Sequence, residues 1–137
     1  MKTYALRLKP GQDLRLELET FVAAHQMHAG LVLTCVGSLT KAALRLADAS
    51  STTLLEGKFE IVSLVGTFSP DGAHLHISIS DTKARTYGGH LQPGSLVYTT
   101  VEIVLGELEE KTFFRRLDPE TGYDELVVEQ GDPPVLS

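Results

Sequence analysis

Two long runs, joined by a four-residue turn, limit what this chain can become. Residues 58–69 (KFEIVSLVGTFS) are apolar on both parities, with Phe59, Ile61 and Val65 on one face of an extended strand and Val62, Leu64 and Phe68 on the other. Ser69-Pro70-Asp71-Gly72 follows, with proline, aspartate and glycine in the order a tight turn needs. The chain then resumes as 74–80, alternating strictly: Leu75, Ile77 and Ile79 against His74, His76, Ser78 and Ser80. This is a β-hairpin whose first strand needs cover on both faces and whose second has one core face and one polar face. One helix can cover only one face of the first strand, so a second layer or another subunit is expected on the other; Phe59, Ile61, Val62 and Leu64, two from each face, are the candidate subunit-interface residues.

The flanking sequence is mostly strand. Residues 3–9 alternate (Tyr4, Leu6, Leu8) and end at Pro10-Gly11. Asp13 is placed to cap a helix over 14–28, where Leu14, Leu18, Phe21, Val22 and His25 share a face and Gly30 stops it. His25 and His28, three apart in its last turn, suit the helix C-terminus better than a metal. Further strands are expected at 31–36 (buried on both faces, broken by Gly37-Ser38), 41–48, 53–56, 95–105 and 112–117, with a polar loop over 81–89. The pattern predicts an α+β fold, a mainly antiparallel β-sheet packed with one main α-helix.

At 137 residues one domain is expected, with a core at 1–117 and an acidic C-terminal extension at 118–137 that loosens after 126–128. The charge supports that division. The first 117 residues hold twelve basic and twelve acidic side chains, and the rest hold six acids and no base, giving the net −6. No basic stripe of the sort that binds duplex DNA stands out, and with no Trp and 7% aromatics there is little for base stacking. The lone Cys35 excludes an intrachain disulfide and a cysteine-rich zinc site, and within LVLTCV it reads as a small buried hydrophobe. Neither a signal-peptide core nor a membrane-length apolar run is seen, so a cytoplasmic location without membrane association is expected.

The chemistry-bearing residues are His74 and His76, one strand repeat apart on the polar face, and His90 in Gly88-Gly89-His90-Leu91. They are either polar groups on a solvated strand and a turn, or three ligands of a divalent metal, zinc being the ion that suits three neutral imidazoles and one open position. The two glycines permit positive φ or a close backbone approach that would carry His90 to the pair. Lys83 and Arg85 either belong to a solvated loop or supply positive charge for a small anionic ligand beside the metal. Glu102 either reaches the histidines as a hydrogen-bond partner or base, or makes a surface or intersubunit ion pair. Without a nucleophile elbow, phosphate loop or dinucleotide fingerprint, no reaction is assigned.

Gly57-Lys58-Phe59-Glu60-Ile61-Val62-Ser63-Leu64-Val65-Gly66-Thr67-Phe68-Ser69, Gly88-Gly89-His90-Leu91 and Val101-Glu102-Ile103-Val104-Leu105 resemble the plant-and-prokaryote conserved (PPC) domain over roughly residues 2–117. The resemblance implies a compact α+β domain forming a homotrimer, which would supply the missing layer over 58–69. Plant members carry an AT-hook, an Arg-Gly-Arg-Pro-type segment for the A·T minor groove, and many prokaryotic members carry the label predicted DNA-binding protein. No AT-hook occurs in these 137 residues, so DNA binding transfers less readily than self-association or protein–protein assembly.

Overall fold

The computed structural model describes residues 1–131. In chain order the elements are β1 (Lys2–Leu8), α1 (Leu14–Ala24), β2 (Gly30–Arg45), β3 (Thr52–Ser69), β4 (Gly72–Ser80), β5 (Thr86–Leu91), β6 (Leu96–Glu107), β7 (Lys111–Leu117) and β8 (Asp124–Gln130). Six strands form one antiparallel sheet in the order β1-β6-β2-β3-β4-β5, and β5 turns back to pair with the end of β2 through Leu44↔Leu91 and Arg45↔His90. Strands β2 to β5 thus close into a ring. The mainly antiparallel α+β architecture is the one expected from the sequence.

Helix α1 packs Leu14, Leu18 and Val22 onto this sheet, where they are buried with Leu39, Phe68, Leu75, Ile77, Ile79, Leu91, Ile103 and Leu105. Asp13 caps it as expected: one carboxylate oxygen accepts the Leu16 N–H at 3.1 Å. The other accepts the Gly94 N–H at 2.7 Å and ties the cap to the turn before β6. The helix stops at Ala24, four residues short of the expected end. Gln26 takes a positive φ of 50°, which ends the helical hydrogen-bond ladder. His25 serves as the C-cap, its Nδ1 2.9 Å from the Phe21 carbonyl and its ring stacked on Phe21, while His28 lies beyond the helix.

Several expected breaks do not occur. Gly37 lies inside the continuous strand β2 and Gly57 inside β3. Gly37 (φ +155°) is where β6 crosses so close that a Cβ would stand 2.2 Å from the Thr100 carbonyl oxygen. The expected loop 81–89 is shorter, because β5 begins at Thr86 and pairs with β4. On β3, a bulge between Ile61 and Ser63 reverses the alternation. Phe59, Ile61, Leu64 and Phe68 therefore all face the chain's own core, and only Val62 and Val65 point outward, at 58% and 56% exposure. Of the four residues expected at a subunit contact, Phe59, Ile61 and Leu64 are buried in the chain's own core and Val62 alone is exposed. Residues 31–36 are likewise covered on only one side, since Leu33 and Val36 are exposed.

Residues 118–123 connect β7 to β8, which pair from Lys111↔Gln130 to Leu117↔Asp124 as a separate two-stranded sheet. That hairpin is fixed to the main body. The Phe113 N–H donates to the His28 carbonyl at 2.9 Å, the Arg115 N–H donates to the Asp71 carboxylate at 2.9 Å, and Thr112 and Phe113 are buried. The last part of the stretch expected to be loose, 132–137, lies outside the described residues. Among the described residues no helix is long and apolar enough to cross a membrane.

Candidate metal centre

On β4 the alternation is realised. Leu75, Ile77 and Ile79 are at most 2% exposed, and His74 and His76 stand on the outer face. The ladder sets His76 directly opposite His90 of β5. Directly opposed residues share a face, so the three imidazoles converge. Their ring centroids are 4.4–5.5 Å apart, the Nε2 atoms of His74 and His76 are 3.2 Å apart, and one nitrogen from each of the three lies within 4.8 Å of the others. Two nitrogens bound at about 2.0–2.1 Å to one tetrahedral ion would stand roughly 3.3 Å apart. The pair is already at that spacing.

The glycines before His90 act through close approach and not through positive φ. A Cβ on Gly88 would stand 2.9 Å from the Ile77 carbonyl oxygen, and one on Gly89 would stand 2.9 Å from that of Arg45. Bare backbone at both positions lets β5 lie between β4 and β2 and brings His90 alongside His76. Gly66 does the same on the β3 side, where a Cβ would meet the His74 carbonyl oxygen at 2.0 Å.

Charge around the cluster is positive. Burial, the neighbouring His76 and the Arg115 guanidinium hold His74 below the ordinary imidazole value, with Glu125 opposing. Burial and then Arg45 lower His90. Both effects favour the neutral ring, the form that ligates a metal. Arg15 of α1 binds the backbone on both sides of the site. It donates to the Leu91 carbonyl at 2.6 Å and the Ala73 carbonyl at 3.2 Å, residues adjacent to His90 and His74, and pairs with Glu19 at 2.7 Å. Arg15, Arg45, Arg115 and Glu125 carried no local signal in the sequence. They come from four separate elements and only the fold assembles them.

The charged residues expected here lie elsewhere. Lys83 and Arg85 are in the loop at the far end of the β4–β5 hairpin, four ladder steps and roughly 13 Å beyond the His76↔His90 pair. There Asp81 accepts the backbone N–H groups of Lys83 and Arg85 at 2.9 Å each and pairs with the Arg85 guanidinium at 2.8 Å. Desolvation alone would raise the Asp81 carboxyl, but these hydrogen bonds outweigh it and hold it below the usual range. Glu102 is exposed on β6, opposite Arg7 of β1 and Val36 of β2, and does not reach the histidines. Its placement follows from β6 bordering the other half of the sheet.

Residues 1–109 match the Plants and Prokaryotes Conserved (PCC) domain, and the chain belongs to this family, the PPC family the motifs resemble. A Salmonella protein of solved structure superposes with a TM-score of 0.92 at 46% identity, over 94% of both chains. A metal-containing protein from Archaeoglobus fulgidus superposes at 0.74 with 27% identity, over 93% of this chain and 94% of that one. Among curated proteins, the bifunctional protein GlmU of a Synechococcus strain is 52% identical over 95% of this chain, which spans about a fifth (21%) of that protein's length. AT-hook motif nuclear-localized protein 2 of Arabidopsis thaliana is 30% identical over 75% of this chain and 33% of its own.

Proposed function

We propose that this protein is a homotrimeric PPC-domain protein that holds one divalent metal, zinc, on His74, His76 and His90 and presents the open coordination position to a small ligand. The observation that carries the reading is the convergence of three imidazole nitrogens within 4.8 Å on one face of a closed β-ring. The metal-containing Archaeoglobus relative supports it. Three neutral nitrogen donors suit zinc, and a zinc ion so held acts as a Lewis acid toward an oxygen ligand.

Self-association is supported by the exposed apolar residues Leu33, Val36, Val62 and Val65. They lie where β2 and β3 are not paired with each other, between Leu31↔Thr67 and Ser38↔Glu60. Val65 is directly opposite His76, so a subunit covering this patch would also border the metal. Metal analysis of protein purified without a histidine tag is expected to find about one zinc per chain. Less than a tenth of an equivalent after zinc addition would reject the site, and a monomeric mass in solution would reject the assembly.

A second reading, DNA-associated regulation, has the Arabidopsis relative in its favour and the net charge of −6 against it. Sequence-specific binding with a steep salt dependence would support it, and weak, sequence-indifferent binding at physiological salt would dismiss it.

A further inference from the structure

We infer that the three-histidine face takes a small oxyanion, a carboxylate or a phosphate, held between Arg45 and Arg115. The inference rests on the metal reading above and identifies the class of ligand at its open position.

The sheet registers set the order of groups across this face. Thr67 of β3 is opposite His74, His76 of β4 is opposite His90 of β5, and His90 is opposite Arg45 of β2. On the β3 side the Arg115 guanidinium, arriving from β7, donates to the Thr67 hydroxyl at 3.0 Å. The imidazoles are thus flanked by one guanidinium on each side. Both arginines are half-buried. Neither is in a salt bridge among the described residues, and Arg45 makes no side-chain hydrogen bond among those residues. Arg15 is different, its nitrogens being occupied by Glu19 and two backbone carbonyls.

The charge balance then points to an anion. Three neutral imidazoles leave the full charge of a divalent ion uncompensated, and two half-buried guanidiniums beside it add repulsion. The Glu125 carboxylate opposes the positive groups at His74, but it is not among the groups whose ligand atoms converge. An oxyanion with one oxygen toward the metal and its remaining oxygen or oxygens toward Arg45 and Arg115 would offset part of this positive charge and give the planar forks the partner they match. Arg115 lies beyond residues 1–109, the part that matches the family. Half of this clamp is therefore a property of the hairpin that follows the family domain.

The test is calorimetry of the zinc-loaded full chain with inorganic phosphate and, separately, acetate, the two arms telling phosphate from carboxylate. Arg45→Ala and Arg115→Ala are each expected to keep one zinc per chain and to weaken binding of the preferred anion roughly tenfold or more, the loss of one charge-assisted contact. Arg115→Lys, which keeps the charge, is expected to fall between, and covers the case in which Arg115→Ala loosens the hairpin. Lys83→Ala at the hairpin tip is expected to change nothing. Anion affinity that is absent in the wild type, or equal in the wild type and both alanine variants, would overturn the clamp while leaving the metal site standing. A wild-type protein that takes up no metal would overturn both.

Discussion

The two ends of the β4–β5 hairpin carry similar charge and do opposite things with it. At the tip, Asp81 accepts the backbone N–H groups of Lys83 and Arg85 and pairs with the Arg85 guanidinium, so the Arg85 charge is met locally in holding the loop's shape. At the other end His74, His76 and His90 crowd together with Arg45 and Arg115 beside them, and neither guanidinium is in a salt bridge among the described residues. Local charge partners come from residues two to four apart in sequence. The unpaired set is built from β2, β4, β5 and β7. What distinguishes the candidate site from the loop, among the described residues, is that no salt bridge joins a carboxylate to either guanidinium.

The largest expected effect that would break this contrast lies in the backbone behind the histidines. Gly66→Ala places a methyl 2.0 Å from the His74 carbonyl oxygen at φ +153°, and is expected to cost about 2–4 kcal/mol in denaturant unfolding and to abolish zinc uptake. His76→Ala is expected to lower zinc affinity at least about a hundredfold in a chelator competition. It should shift the melting temperature of the metal-free protein little, because the side chain is exposed and outside the core.

Acidification gives a smaller and signed effect. The folded state holds His74 and His90 below the ordinary imidazole value, so near that value it binds fewer protons than the unfolded chain. The metal-free protein should lose stability as pH falls from about 6.5 toward the lowered values, and regain it on return. Thermal melts between pH 5 and 7 measure the slope, which His74→Gln should flatten. The smallest effect belongs to the tip. Asp81→Asn is expected to lower the melting temperature slightly, since its hydrogen bonds are to nearby groups, and to leave zinc stoichiometry unchanged. A loss of zinc there would show that the two ends are coupled.

Much of the site was legible from local pattern. Alternation put His74 and His76 on the polar face of β4, and the Gly88-Gly89 pair signalled a close approach that the fold realises against Ile77 and Arg45. Asp13 announced its helix. The faces of β3 could not be read that way. One bulged residue after Ile61 inverts the parity of everything downstream, so Leu64 joined Phe59 and Ile61 in the core and Val65 came to the surface. Nor could the roles of Lys83 and Arg85 be judged, because closeness in sequence to the histidines is not closeness along a hairpin.

The sequence by itself determined the elements whose cause is local: the strand periods, the helix cap, the turn at Pro70-Asp71-Gly72, and the two imidazoles of β4 on one side. Only the tertiary structure decided that β5 returns to β2. That closure sets His90 beside Arg45 and leaves the β7–β8 hairpin to bring Arg115 to the opposite flank. Side-chain direction within a strand follows from backbone geometry over two residues. Which cations meet across a sheet depends on ladder register and chain return over dozens of residues, and no periodicity in the sequence encodes that distance.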